Sequence, residues 1–312
     1  MKVHTDIASL KGVERPVLTT GTFDGVHRGH QVILARLKEI AKRENGESVL
    51  FTFYPHPRMV LQPDDNELKL LSTQKEKADL LMKAGIDHLL VVPFSRHFSR
   101  MRAGDYIRDV LVNAMGVHAV VIGYDHRFGR NREGDIHLLE RAGDSLGFLV
   151  EEIPAKEIDH VKVSSTKIRR SLAEGDVRRA NELLGYAYPL SGIVVKGDRL
   201  GRTIGFPTAN IGAVDPFKLV PGDGVYAVEV DLAAGPARGM MNIGIRPTVN
   251  GGLKERTLEV NIFDLDRDLY GEQITVRFVE RIRTEMRHEG MEALKEQLER
   301  DRNAVLKVFS AR

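Results

Sequence analysis

The chain has 312 residues, of which 42% are apolar and 29% charged, typical of a globular protein with one large or two ordinary domains. The formal net charge is only +2, so neither nucleic acid nor an acidic membrane is required as a partner. There is no cysteine, which excludes disulfides and thiolate metal sites. The N-terminal MKVHTDIASL lacks the apolar run of a signal peptide, and we therefore expect a cytoplasmic protein.

The first half alternates short apolar runs with segments of helical spacing. Two of these segments, HQVILARLKEIAKRE and TQKEKADLLMKAG, predict helices. Runs that are apolar on both faces favour a parallel sheet covered by helices on both sides, and such sheets bind ligands at the carboxyl ends of their strands. Five runs rich in β-branched residues predict the strands: 16–21, 48–54, 88–94, 118–123 and 148–153.

The pattern changes near Gly185, and we predict two domains, 1–185 and 186–312. Short strands separated by Gly, Pro, Asn and Asp then follow, including GVYAVEVDL, ARGMMNIG, RTLEVNIFDL and QITVRFVERI. Strands at this spacing predict a small barrel or sandwich, closed by one amphipathic helix at 290–309. The helix residues expected to cover its open side are Met291, Leu294, Leu298, Val305 and Phe309.

The segment GTFDGVHRGH follows the first predicted strand. Gly21 ends that strand, while Gly25 and Gly29 allow a tight backbone turn. We expect a helix to begin near Gly29 or His30, where free N–H groups and the helix dipole favour phosphate. His27 and His30 are spaced to reach one spot and donate hydrogen bonds to a pyrophosphate. An incidental structural turn is the alternative, and a zinc site is disfavoured without cysteine or HExxH partners.

This decapeptide resembles the one found in the bacterial bifunctional riboflavin kinase/FMN adenylyltransferase family. The resemblance implies a Rossmann-like nucleotidyltransferase domain with a parallel sheet, then a small antiparallel β-barrel riboflavin kinase domain with a C-terminal helix. It also implies that riboflavin is phosphorylated with ATP to FMN, and that AMP is then transferred to FMN to give FAD and pyrophosphate, with Mg²⁺ in both steps. It continues in order through TFYPHP (52–57), GYDHRFG (123–129), SSTKIR (164–169), GRTIGFPTAN (201–210), PGDGVYAV (221–228), NIGIRPTV (242–249), LEVNIFDL (258–265) and RIRTE (281–285).

SSTKIR is the second motif of the implied adenylyltransferase site. Its capping residues Ser164, Ser165 and Thr166 bring amides and hydroxyls together at a helix start, and Lys167 and Arg169 add positive charge for a triphosphate. Alone, this is an ordinary helix cap with a basic face. The resemblance implies that the segment binds the ATP phosphates together with Gly21, Phe23, Asp24, Gly25 and Gly29, and that Arg169 is catalytic with His27 and His30. Asp24 fits a purely structural turn equally well.

The resemblance further implies flavin contacts at Asp125, Phe128, Arg283 and Glu285. The chain departs from the family pattern at three nearby positions. It has His126 and Met286 where the family has aromatic residues, and Asn261 where the family commonly has histidine.

GRTIGFPTAN contains no Walker A pattern, so the kinase phosphates must be held in another way. Gly197, Gly201 and Gly205 let backbone amides approach an anionic ligand. Thr208 and Asn210 share a face if the segment is extended, and their oxygens suit Mg²⁺. On spacing alone such a pair is more typical of a turn, whereas the resemblance implies that both hold the metal.

Glu259 lies in an otherwise apolar predicted strand, where an acidic side chain usually faces solvent. The resemblance instead implies that Glu259 is the catalytic base. A base is useful there because the ribityl hydroxyl of riboflavin is neutral, and a positioned general base contributes about 10²–10⁴-fold. The phosphate of FMN is already an anion, so the adenylyltransferase site needs no such base.

Two other functions are compatible with parts of the sequence. One is a monofunctional adenylyltransferase for another phosphorylated acceptor, which the presence of Thr208, Asn210 and Glu259 disfavours. The other is a flavin- or RNA-binding regulator, since HxGH also occurs in class I tRNA synthetases. The chain lacks a KMSKS-like stretch and a basic patch with interleaved aromatics, which disfavours RNA. The expected partners are riboflavin, FMN and ATP, with no nucleic acid or membrane, and self-association is left open.

Overall fold

The computed structural model describes residues 1–62, 68–154, 163–197, 200–246, 255–286 and 289–311. The chain forms two compact units, Met1–Ser165 and Thr166–Arg312. Two helices that precede residue 185 are thus counted with the second unit, and the boundary predicted at 185/186 stays a prediction. Among the described residues, no helix is long and apolar enough to cross a membrane.

The first unit contains a six-stranded parallel sheet. Its strands are β1 Lys2–His4, β2 Val17–Thr20, β3 Ser48–Tyr54, β4 His88–Pro93, β5 Ala119–Gly123 and β6 Leu149–Ile153. Its helices are α1 Arg28–Arg43, α2 Pro57–Leu61, α3 Gln74–Lys83, α4 Ala103–Asp105, which continues as a π-helix over Tyr106–Ala114, and α5 Ile136–Leu146. The five predicted strands are confirmed as β2 to β6, and β1 was not predicted.

The sheet is buried on both faces, as predicted for parallel strands. Neighbouring residues of one strand belong to two different apolar clusters: Val17 and Leu50 to one, Leu18 and Phe51 to the other. Because successive side chains of a strand point to opposite faces, the two clusters cover opposite sides of the sheet.

The strand order of the sheet locates its ligand crevice. The order is β1-β4-β3-β2-β5-β6, so the chain reverses its direction of travel between β2 and β5. The carboxyl ends of the two strands on either side of such a reversal form the usual binding crevice. GTFDGVHRGH follows β2 and GYDHRFG follows β5, so two of the sequence motifs leave the sheet at this crevice.

The second unit contains a closed antiparallel barrel, which decides between the predicted barrel and sandwich. Its strand order is β10-β11-β8-β7-β12-β9. The strands are β7 Pro189–Val195, β8 Ala209–Gly212, β9 Gly224–Leu232, β10 Gly235–Arg246, β11 Glu255–Ile262 and β12 Gln273–Arg283. The remaining helices are α6 Ser165–Ala173, α7 Val177–Leu184, α8 Leu200–Thr203 and α9 Met291–Ser310.

Helix α9 packs on the barrel through its C-terminal half. Val305 and Phe309 are buried in a cluster with Phe206 and Met240, and Leu298 packs against that cluster in part. Met291 is 47% exposed, so its predicted role in covering the barrel is wrong. The first turn of the helix leaves Met291 outside the apolar cluster.

Helix α7 is tied to the barrel although it precedes the predicted boundary. Val177, Ala180 and Leu184 are fully buried. The Asn181 side chain donates to the carbonyl of Phe278 on β12 and accepts from the N–H of Tyr188, both at 2.8 Å. The helix therefore contributes to the stability of the second unit.

We expect a fragment of residues 166–312 to unfold at a higher temperature than a fragment of 186–312. The shorter fragment loses the buried side chains of α7, and each large one contributes about 1.5–3 kcal/mol when fully buried. Circular dichroism melts of both fragments measure the difference. Equal midpoints would show that α7 is dispensable and would favour the boundary at 185/186.

Candidate active sites

The turn after β2 has an unusual backbone conformation. Phe23, Gly25 and Val26 all have positive φ angles, of 45°, 76° and 37°. Only glycine adopts this region without strain, so Phe23 and Val26 must be held there by their surroundings. Both side chains are buried in the apolar core. The turn thus connects the end of β2 directly to α1. This helix begins at Arg28, one residue before the predicted start near Gly29 or His30.

Asp24 anchors this turn. Its carboxylate is 2% exposed and accepts the N–H of Leu71 at 2.9 and 3.1 Å and the N–H of Ser72 at 3.2 Å. The hydroxyl of Ser72 in turn accepts the N–H of Gly25 at 3.1 Å. These contacts are those of a structural turn residue, so they support the alternative interpretation of Asp24. Its assignment to ATP stays a prediction.

The two histidines meet at the start of α1. His27 is the N-cap, and its Nδ1 accepts the backbone N–H of His30 at 3.3 Å. The two imidazole rings stack with centroids 3.6 Å apart and an interplanar angle of 11°. Since Nδ1 of His27 accepts a hydrogen bond, the neutral ring carries its proton on Nε2 and can donate from that side.

The surroundings of His30 keep its imidazole neutral. Burial lowers the pKa of His30 well below its ordinary value, and His27 and Lys77 lower this pKa further. Nδ1 of His30 is buried and has no hydrogen-bond partner among the described residues. A neutral, desolvated imidazole beside a second one can donate a hydrogen bond to an anion that enters the site.

The residues before α6 approach the same turn. The hydroxyl of Ser165 donates to the carbonyl of Asp24 at 3.4 Å. A Cβ added to Gly29 would lie 3.0 Å from Cγ1 of Val163, so this glycine allows close packing. Gly21 likewise lies against the ring of Phe23. Ser164 directly precedes α6, whereas Thr166, Lys167 and Arg169 lie on α6 in the second unit, and the assignment of these four residues to ATP stays a prediction.

A second feature of the first unit is an aromatic cavity of about 830 Å³. Gly21 and Thr22 form part of its wall, so it opens beside the histidine turn. Phe128, which the sequence assigned to flavin, is among its lining residues. The other aromatic side chains of the lining, which the sequence reasoning missed, are Phe53, Phe94, Phe98 and Tyr106. Two of these residues could have been found from the sequence, because they lie at the carboxyl ends of predicted strands: Phe53 near the end of β3 and Phe94 directly after β4.

The polar residues near this cavity differ from the prediction in one respect. Asp125 is exposed and is not among the lining residues, so the structure gives its predicted flavin contact no support. His126 does line the cavity, and burial lowers its pKa to about 4. It therefore presents a neutral ring, which can fill the place of the aromatic residue that the family pattern has there.

The second unit has its own cavity of about 280 Å³, lined by residues of the barrel strands and of α9. The register of β8 against β11 creates this site, because it pairs Asn210 with Glu259. The Thr208 hydroxyl donates to Oε2 of Glu259 at 3.5 Å. Of the predicted residues, the cavity wall contains Gly201, Thr208, Asn210, Glu259, Arg283 and Glu285.

Two glycines make room for the polar side chains of this site. A Cβ on Gly197 would lie 2.1 Å from Nδ2 of Asn210, and a Cβ on Gly244 would lie 1.9 Å from Oε1 of Glu285. Larger residues would therefore displace Asn210 and Glu285. Gly197 and Gly205 are not part of the cavity wall, and Gly205 instead turns the chain with a φ of 82°.

The departures at Asn261 and Met286 both fall on the cavity wall. Asn261 is 7% exposed, and its side-chain amide donates to the carbonyl of Pro207 at 2.7 Å. Because Pro207 precedes Thr208, this hydrogen bond fixes the segment that carries the two predicted metal ligands. Met286 is 51% exposed, so the part of the cavity wall that it forms is apolar and open to solvent.

The oxygens of this cavity fit a magnesium ion. Thr208 and Asn210 provide hydroxyl and amide oxygens, which are hard ligands of the kind that Mg²⁺ prefers. Magnesium needs few protein ligands when it also binds waters and phosphates. No cluster of three or more His, Cys, Asp or Glu suited to a metal occurs among the described residues. The chemistry of the site therefore suits a metal that enters with a nucleotide.

Arg283 is fixed in the cavity wall by a buried ion pair. Its Nε donates to both carboxylate oxygens of Asp301 on α9, at 2.9 and 3.0 Å, and one Nη donates at 2.8 Å. Asp301 is 2% exposed and also accepts from Gln297 at 2.8 Å. Helix α9 thus sets the orientation of a predicted flavin contact, which sequence reasoning did not foresee.

Replacing Asp301 with Ala should lower the free energy of unfolding of the second unit by about 3–5 kcal/mol, since a half-buried guanidinium loses its partner. The control is Glu296→Ala, which removes the exposed partner of Arg300 on the same helix and should change little. Urea unfolding measures both. An unchanged midpoint for Asp301→Ala would mean that the pair does not stabilise the fold.

Comparisons with known proteins agree with this arrangement. A family model described as FAD synthetase matches residues 11–167, and one described as riboflavin kinase matches residues 184–309. The fold is thus that of a nucleotidyltransferase unit followed by a kinase barrel. The chain belongs to the family of bifunctional riboflavin kinase/FMN adenylyltransferases.

The similarity to curated relatives of that name extends over most of the chain. The Escherichia coli K12 protein is 40% identical over 91% of this chain and 90% of its own length. The Bacillus subtilis protein is 35% identical over 95% and 93%. A crystal structure described as a macrolide-efflux protein from Streptococcus pneumoniae is 31% identical over 95% and 96%, with a TM-score of 0.85. That description differs from those of the curated relatives, and the family assignment rests on the relatives and the two family models.

Proposed function

We propose that the chain makes FAD from riboflavin in two ATP-dependent steps, one in each unit. The observation that carries this proposal is the presence of two unlike sites in two separately packed units. One is a stacked pair of imidazoles at a helix start, and the other is a carboxylate beside oxygen ligands in a barrel cavity. We also propose that both reactions take place in the cytoplasm, where ATP and Mg²⁺ are plentiful.

In the kinase step, Glu259 accepts the proton of the ribityl hydroxyl as that oxygen attacks the γ-phosphorus of ATP, and ADP leaves. The Thr208 hydroxyl, 3.5 Å from the carboxylate, orients it for this transfer. Thr208 and Asn210 would hold Mg²⁺, which neutralises phosphate charge when it is bound. Arg283, held by Asp301, borders the cavity and can fix the flavin by a directed hydrogen bond.

In the adenylyl-transfer step, the FMN phosphate is already an anion and attacks the α-phosphorus of ATP, so that pyrophosphate leaves. His27 and the neutral imidazole of His30 donate hydrogen bonds to the oxygens on which charge increases. The cavity beside the turn has a volume of about 830 Å³ and an aromatic lining, which suits an isoalloxazine ring stacked against Phe128 or its neighbours. Arg169 and Ser165 are proposed to bind the phosphates.

We expect His30→Ala to reduce FMN adenylyl transfer by about 10²–10³-fold, the loss typical of one preorganised donor, while riboflavin phosphorylation continues. FMN should then accumulate in a reaction that starts from riboflavin, as measured by chromatography. His137→Ala is the matched control, since His137 is exposed on α5. Normal FAD output from His30→Ala would remove this residue from the site.

Glu259→Gln should give the opposite result. The amide keeps the size of the side chain but cannot accept the proton, so FMN formation should fall by about 10²–10⁴-fold. Added FMN should still become FAD at the normal rate. Glu280→Gln, on β12, which is not adjacent to β11 in the barrel, should leave both rates unchanged. A kinase rate near wild type for Glu259→Gln would contradict the role of a base.

A further inference from the structure

Lys77 is a buried cation that none of the described chemistry uses. It lies on α3 and is 4% exposed, a rare state for lysine because an ammonium loses its hydration when it is buried. An apolar residue at this position would pack at lower cost. The reason for a charge at this position should therefore lie in the groups that surround the Lys77 ammonium.

The Lys77 ammonium is directed at the histidine turn. Nζ donates to the carbonyl of Thr22 at 2.7 Å, and the same carbonyl accepts from the hydroxyl of Thr52 at 3.3 Å. The carboxylate of Asp24 lies near enough to favour the charged form of Lys77. Thr22 and Asp24 are both in the segment that leads to His27.

The start of α3 is fixed to that same segment. The helix begins with a reciprocal capping box, in which Thr73 and Glu76 each bond the backbone N–H of the other. The residues just before it, Leu71 and Ser72, bond the carboxylate of Asp24. The position of Lys77 against the turn is thus set by several independent contacts and is not that of a mobile side chain.

The charge of Lys77 also acts on His30. It is one of the causes that lower the pKa of His30, after burial and the effect of His27. Burial lowers the pKa of Lys77 itself to about 8, with Asp24 opposing this shift. The titratable groups that face Lys77 are therefore Asp24 on the turn and His30 on α1, with His27 stacked on the latter. Below about pH 8 the ammonium is charged, and the charge is lost as the pH rises through that value.

We propose that Lys77 is a positioning residue of the adenylyl-transfer site: it holds the Thr22–His27 turn in place and supplies a fixed positive charge beside His30. This charge favours the anionic phosphates of ATP and disfavours a proton on the imidazole. The inference rests on the proposed adenylyl transfer, and it adds a group that lies outside the motifs recognised in the sequence.

The test uses the full chain with Lys77→Met, Lys77→Arg and, as a control on the exposed end of the same helix, Lys83→Met. FMN adenylyl transfer is measured from pH 6 to 9.5, and riboflavin phosphorylation reports in each variant whether the second unit is intact. The pKa of His30 is measured by NMR, with His30→Gln for assignment. We expect wild type and Lys83→Met to lose adenylyl transfer as the pH rises through about 8.

Lys77→Met should lower kcat at pH 7 by about 10–100-fold, as expected for a misplaced turn, remove the alkaline loss and raise the pKa of His30. Lys77→Arg should keep much of the activity and shift the alkaline loss beyond the measured range, because arginine stays charged. If Lys77→Met does not fold, the profile of Lys77→Arg decides alone.

The proposal is overturned if Lys77→Met slows the reaction but leaves both the His30 pKa and the pH profile unchanged, since Lys77 would then be only structural. It is also overturned if Lys77→Arg keeps the wild-type alkaline loss. These outcomes are distinct from a failure of the proposed function, in which the wild-type chain itself would form no FAD from FMN and ATP.

Discussion

Backbone N–H groups of Leu71 and Ser72 hold the buried carboxylate of Asp24, and the histidine site depends on this contact. The turn that contains Asp24 has three residues with positive φ, two of which are not glycine, and such a turn persists only where its surroundings hold it. Once it is fixed, His27 caps α1 and stacks on His30. A carboxylate would repel the phosphate that this turn is proposed to bind, and its amide partners and Lys77 offset that charge.

In the barrel, strand register positions the polar side chains of the candidate site. Pairing of β8 with β11 brings Asn210 opposite Glu259, and the Asn261 amide fixes the backbone just before Thr208. Gly197 and Gly244 leave the space in which Asn210 and Glu285 lie. In both units the side chains of the candidate sites are therefore positioned by backbone contacts of rigid elements, which is the arrangement that a catalytic site requires.

The structural features that could be predicted from the sequence are those that short-range residue patterns determine. The run at 48–54 is β3 with the same bounds, and the burial of Val17 and Leu18 on opposite faces follows from the apolar character of the strands. Motif resemblance predicted the set around Glu259, which the cavity brings together. Contacts between distant segments could not be predicted, because no local pattern encodes them. Three contacts are of this kind: the ion pair of Asp301 with Arg283, the hydrogen bond from Lys77 to Thr22, and the aromatic cavity lining that includes Phe53 and Tyr106.

We propose that two different phosphorus atoms of ATP react in two different sites of one chain. The most direct measurement supplies the wild-type protein with riboflavin, Mg²⁺ and ATP that is radioactive at either the α or the γ phosphorus. We expect γ label in FMN and in FAD, α label in FAD but never in FMN, and one pyrophosphate released for each FAD. Alpha label in FMN, or FAD formed without release of pyrophosphate, would contradict the two-site proposal.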